Sequence, residues 1–320
     1  MSGPARISVL LVALLGWAVL GAAAQPTGVD PLPPPPAPPP APPPPPPLPP
    51  VGPPVLAVKV DNAPQARPPT GLGAADEVYV EPVEAGITRI IGVFASHTPP
   101  VVGPVRSARE TDLRLLPQFG HPTLAFSGAA PELLPRINDS GLRVASQAKA
   151  GSAYRRGAGE PPHNLYVSPG RLPQGEGWSP GNPLTFGPAP DGGRPDEHEQ
   201  VRFPNASVDF SWSPGEGRWL VSFDGRPCTA TDSGRLGAGT VVLQDVAERD
   251  SSLHDSEGNV TPYAETVGSG HALVLRDGRA FDATWSRPNP ESGTTYTTPS
   301  GQPLPFAPGQ VWTVLTPQPR

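Results

Sequence analysis

Eighteen of the 24 residues from 31 to 54 are proline, and a stretch of that composition can be neither helix nor sheet. Each proline removes a backbone donor and fixes φ, which confines the segment to polyproline II. At about 3.1 Å per residue it would extend roughly 75 Å, so it is expected to act as a spacer. The chain carries 52 prolines and 36 glycines among 320 residues. Its packed part must therefore be much shorter than its length.

Ahead of the spacer, residues 7–20 are predominantly apolar, follow Arg6 and run into Gly21-Ala22-Ala23-Ala24. This pattern predicts a secretory signal peptide over 1–24, followed by a disordered proline-rich linker over 25–54. The alternative is an uncleaved anchor, since the apolar stretch approaches the ~17–20 residues needed to span hydrocarbon. That anchor is the only membrane contact the sequence offers. Either way, the rest of the chain is expected to be extracytoplasmic, secreted or associated with the cell wall. Without residues 1–24 the balance is 22 basic against 29 acidic residues, which argues against nucleic acid as a partner. Cys228 is the only cysteine, so no intramolecular disulfide can form and an apolar core must hold the fold.

Order is predicted to begin at the valine-rich run 55–60, a strand closed by the turn Asp61-Asn62-Ala63-Pro64. Residues 75–80 are expected to form another short strand or a helix-to-strand passage, and further strands are expected over 87–95 and 123–126. Ser107 followed by Glu110 fits a capping box and predicts a helix over 108–116, stopped or kinked by Pro117. A second short helix is expected over 131–137. Alternating strands and helices imply a mixed α/β N-terminal domain over 55–171 within an α+β or α/β fold class. Residues 172–200, rich in Gly, Pro, Asp and Glu, are expected to form a loop or linker. Beyond them, Asp224-Gly225 and Asp277-Gly278 between apolar runs signal hairpins, giving a smaller β-rich C-terminal domain over 201–320.

Four polar clusters lie beside apolar strands, where an unpaired charge is costly. They are Asp61-Asn62 with Arg67; Asp76, Glu81, Glu84 and Arg89; Arg106 with Arg109; and His163-Asn164-Tyr166. Arg106 and Arg109 beside the predicted helix start suggest an anion site, unless they pair internally with Asp76, Glu81 or Glu84. Glu81 and Glu84 could serve as a glycosidase pair, but three residues apart on a strand they would face opposite ways. The segment 125–129 lacks the glycines of a nucleophile elbow, and no zinc-helix motif occurs. Asp196-Glu197-His198-Glu199 is expected to be a solvated loop. No cofactor and no metal are implied.

These clusters sit in stretches that resemble the YerB-like family of bacterial lipoproteins, which carries domain of unknown function 3048 in N- and C-terminal parts. The stretches are Val58-Lys59-Val60-Asp61-Asn62 with Ala66-Arg67-Pro68, Gly71-Leu72 with Ala75-Asp76-Glu77-Val78-Tyr79, and Val83-Glu84-Ala85-Gly86-Ile87-Thr88-Arg89. Gly103-Pro104-Val105-Arg106-Ser107-Ala108-Arg109, Pro162-His163-Asn164-Leu165-Tyr166 and the closing Phe306-Ala307-Pro308-Gly309-Gln310-Val311-Trp312 complete them. The resemblance implies the two-domain layout and no established activity. Two departures are visible. No cysteine near Ala24 could accept a lipid, and Ala85 stands where the family has a glycine.

The leading functional expectation is a cell-envelope protein that binds an anionic ligand, such as a wall glycan or peptide, in a cleft of the N-terminal domain. Its ligand-binding candidates are Asp61, Asn62, Arg67, Glu81, Glu84, Arg89, Arg106, Arg109, His163 and Asn164. One alternative is a wall hydrolase using Glu84 or Asp76 with His163 as acid and base. Another is a non-catalytic scaffold for an envelope protein, with Trp212, Trp219 and Trp312 as contacts or, more simply, as core.

Overall fold

The computed structural model describes residues 52–177 and 183–317; the expected signal peptide and nearly all of the proline-rich linker lie outside them. Five strands come from the first half of the chain: β1 (Leu56–Asp61), β2 (Glu77–Pro82), β3 (Thr88–Phe94), β4 (Thr123–Phe126) and β5 (Arg143–Ser146). Five come from the second: β6 (Thr240–Val246), β7 (Gly268–Arg276), β8 (Arg279–Arg287), β9 (Thr295–Thr297) and β10 (Val311–Pro317). All belong to one 11-stranded sheet in the order β9-β8-β7-β6-β10-β2-β3-β1-β4-β5, with Arg194–Pro195 added beside β8.

The closing strand β10 joins the halves, running parallel to β2 on one side and to β6 on the other. The two expected domains are thus halves of one compact unit. The fold is β-rich throughout. Its α/β character is confined to the β1-β4-β5 edge, where the pairs are parallel and the helix α2 (Leu133–Asn138) connects β4 to β5. Residues 172–200 are not wholly loop, since Arg194–Pro195 pairs with β8 and the strand His198–Phe203 begins inside the expected linker.

The helix expected over 108–116 forms only as α1 (Asp112–Leu115), followed by a 3-10 turn over Leu116–Phe119 that contains Pro117. The capping box fails because its members have other partners. Glu110 accepts hydrogen bonds from Arg136 and Ser251, while the Asp112 carboxylate takes the Arg109 backbone N–H at 2.8 Å. Both Asp-Gly turns form as expected: Asp224, Gly225, Asp277 and Gly278 all have positive φ, the backbone a two-residue hairpin requires.

A smaller five-stranded sheet built on His198–Phe203, Ala206–Ser213 and Arg218–Phe223 covers one face of the main sheet. Val58, Val60, Val80 and Val314 meet Phe210, Trp219 and Val221 there, and the Phe210 and Phe223 rings pack on Trp312. Trp219 and Trp312 are fully buried, so they serve the core. On the opposite face, Ala57, Tyr79, Ile91 and Val93 pack under the helices with Leu116, Phe119 and Leu133. Since β1, β2 and β3 are buried on both faces, any charged residue on them is enclosed.

Candidate functional site

Side chains alternate between the faces of a strand, so Lys59 and Asp61 on β1, Glu81 on β2 and Arg89 on β3 all share the helix-side face with Ala57, Tyr79 and Ile91. Register then draws them together: Arg89 lies opposite Asp61 on one side and Glu81 on the other. Lys59, with no solvent exposure, bridges Glu81 and Asp112, the latter at 2.8 Å. Burial pushes the Glu81 carboxyl up, against the lowering pull of Lys59. This closed triad anchors α1 to the sheet; it does not open onto a cleft.

Beside it lies a cleft of about 370 Å3, lined on the sheet side by Glu84, Arg89, Arg106 and Arg109. The facing wall comes from the second half of the chain, through the hairpin of Glu248–His254 and Val260–Ala264, which contributes Leu253, Asp255, Glu257 and Thr261. That hairpin is fastened by Ser251 to Glu110 and by the Ala264 N–H to Thr111 Oγ1. Sequence reasoning missed this wall because nothing local marks 253–261 as a neighbour of residue 84.

Arg109 Nη2 donates to Glu84 Oε2 at 2.6 Å, and the Thr261 hydroxyl donates to the other oxygen. Burial alone would raise the Glu84 carboxyl, but these partners outweigh it and hold the group below the usual carboxylate range. Glu84 is therefore a fixed anion and a poor proton donor. It sits in a short turn, Glu84–Gly86, that Asn205 of the covering sheet holds through the Ala85 and Gly86 carbonyls.

Asp61 Oδ2 accepts the His163 Nδ1 proton at 2.8 Å and lies 3.2 Å from Arg106 Nε. Arg89 differs from these pairs. Its side chain is buried, makes one long contact from Nη1 to the Ser107 carbonyl at 3.4 Å, and has no ion pair among the described residues. Burial, then the neighbouring charge of Arg109, pulls its pKa down to about 10, which leaves it charged at neutral pH.

Not every candidate joins the cleft. Asp76 spends its carboxylate on the Ala95 and Ser96 backbone N–H groups. Asn62 accepts from Arg67, which also pairs with Asp224 at 2.7 Å and lies over the Phe223 ring, forming a joint with the covering sheet. Asn164 secures a loop through the Gly157 and Gly159 carbonyls. His198, expected in a solvated loop, opens a strand, while Arg194 bridges Asp196 and Glu199. Among the described residues, no group of three or more acidic, histidine or cysteine side chains is placed to hold a metal.

Fold and site together define the class: a β-sheet protein whose two interlocked halves enclose an arginine-lined cleft. The chain belongs to the family described as "Protein of unknown function (DUF3048)", its N-terminal domain matching residues 50–177 and its C-terminal domain residues 200–313. It is 28% identical over 278 residues to the protein of Bacillus subtilis (strain 168) named "Putative lipoprotein YerB", covering 82% of this chain and 81% of that protein. The crystal structure of YerB protein from Bacillus subtilis shares the fold, with a TM-score of 0.68 at 24% identity, over 82% of this chain and 90% of the other.

Proposed function

We propose that this protein is an extracytoplasmic component of the cell envelope that binds an anionic ligand in the cleft between its two halves. The observation that carries the reading is Arg89, a buried cation that lines the cleft and has no carboxylate in ion-pair contact among the described residues, Asp61 and Glu84 acting on it only from further away. Enclosing an unpaired charge costs several kcal/mol, and an incoming anion would offset that cost. Arg106 adds to the attraction, because neither of its Nη atoms has a hydrogen-bond partner among the described residues and its side chain is 29% exposed. The envelope location draws on the signal-like first 24 residues, the proline spacer, and a relative named as a lipoprotein. A wall glycan or wall peptide carrying an acidic group is the ligand class that suits such a location.

The test is sedimentation of the purified protein with purified cell walls, wild type against Arg106→Gln, with release of soluble fragments followed in parallel. Binding without release, weakened at least several-fold by Arg106→Gln, is the expected result. Equal binding by the variant would sink the cleft as the binding site. Release of fragments would instead make the protein a wall hydrolase.

A further inference from the structure

The donors left open in the cleft say more about the ligand than its sign. Arg109 is the most engaged of the three: Nη1 donates to the Ala108 carbonyl at 3.0 Å and Nη2 to Glu84. Asp61 occupies the Nε side of Arg106. Besides the buried Nε atoms of all three arginines, which have no hydrogen-bond partner among the described residues, both Nη atoms of Arg106 and Nη2 of Arg89 remain open. They belong to two guanidinium planes carried by two different segments, β3 and the 103–109 stretch.

Resting on the anion-binding reading above, we propose that the group recognised between Arg89 and Arg106 is a tetrahedral oxyanion, namely a phosphate ester, and not a carboxylate. A carboxylate presents two oxygens in one plane and is met best by the fork of a single guanidinium. In this site the two resident carboxylates each meet an arginine through a single oxygen, Glu84 Oε2 on Arg109 Nη2 and Asp61 Oδ2 beside Arg106 Nε. A phosphate directs its oxygens along diverging axes, so it can bridge two guanidiniums carried by different segments.

Two further features narrow the class. Ala129, Ala130, Leu133 and Leu253 line the same cleft, giving an organic substituent on the phosphate an apolar surface to rest on. Asp255 and Glu257 stand on the hairpin side and, with Glu84, equal the three arginines in number. The attraction is therefore short-ranged and suits one phosphate group; a pyrophosphate or a dense polyanion would be repelled.

The experiment is calorimetric titration of the purified protein at pH 8 and fixed ionic strength with inorganic phosphate, glycerophosphoglycerol, acetate and D-lactate. Phosphate species are expected to bind at least ten-fold tighter than either carboxylate, with Arg106→Gln removing at least ten-fold of that affinity. Arg89→Lys, which keeps the buried charge and loses the planar donors, is expected to weaken the phosphate species selectively. Carboxylates binding as tightly as phosphate would overturn the proposal and leave the anion-binding cleft standing. No binding of any anion by folded wild type would overturn both. Unchanged phosphate affinity in Arg106→Gln would place the site elsewhere and also overturn it. Phosphatidylglycerol vesicles separate the sources. Vesicle binding displaced by glycerophosphoglycerol puts the ester on a lipid headgroup; binding to the soluble ester alone puts it on a soluble or wall-borne molecule, and either result supports the proposal.

Discussion

Val314 lies opposite Val80 in the parallel register between β10 and β2, so strands more than two hundred residues apart are hydrogen-bonded side by side. Trp312, on the same strand, is fully buried against Phe210 and Phe223 of the covering sheet. Trp312→Ala should cost about 3–5 kcal/mol through lost burial and the cavity left behind. Because β10 belongs to both halves, calorimetry should show one unfolding transition moving down as a whole; two separated transitions would contradict the interlocked sheet.

Arg106 and Arg109 are close in sequence, yet their removal should have different consequences. Arg109→Gln strips Glu84 of its charged partner inside a largely buried turn and should lower stability by about 3 kcal/mol. Arg106 is partly exposed and its acid, Asp61, keeps His163, so Arg106→Gln should change stability by less than about 1 kcal/mol. Urea midpoints of the two variants measure the contrast.

Ala85 has φ 58 and ψ 19, a left-handed conformation that costs a residue with a Cβ about 1–2 kcal/mol. Part of that cost returns as chain entropy when glycine is introduced. Ala85→Gly should therefore stabilise the protein by roughly 0.5–1 kcal/mol in equilibrium urea unfolding. A loss of stability would show that the methyl group has a packing role in the cleft wall.

Glu77 gives a pH signature. Burial, opposed by the Thr313 hydroxyl at 2.9 Å, raises its pKa from 4.5 to about 7. A raised carboxyl favours the protonated folded form, so its contribution is fully present below about pH 4.5 and lost as pH rises through about 7. Glu77→Gln stays neutral, so the variant should gain on wild type between those values, by an amount on the order of 2–3 kcal/mol above pH 7. Stability curves for the two proteins that run parallel from pH 4 to 8 would refute this.

Features that were legible in the sequence are those whose causes are local. The valine-rich run at 55–60, the Asp-Gly turns and the short helix after Pro131 follow from alternation, turn chemistry and proline placement, and each forms where expected. The Ser107–Glu110 helix start fails because partners distant in sequence claim Glu110. The cleft was half legible. Glu84, Arg89, Arg106 and Arg109 line it together, brought there by register and by the 103–109 stretch, while Asp61 and, through it, His163 are joined to Arg106 without lining it. Asp76, Asn62, Arg67 and Asn164 carried equally polar signals but hold loops and joints. Neither the hairpin wall nor the insertion of β10 between β2 and β6 could be read, since both depend on pairings across most of the chain.

The position of β10 also sets an order of events. Synthesis proceeds from the N-terminus, so β2 and β6 emerge well before the residues that join them. Until Val311–Pro317 arrive, each presents an open strand edge, the kind of surface on which other chains pair. Completion of the sheet therefore waits until synthesis has passed Val311–Pro317. A copy interrupted before β10 displays two unsatisfied edges that expose it to proteolysis and aggregation.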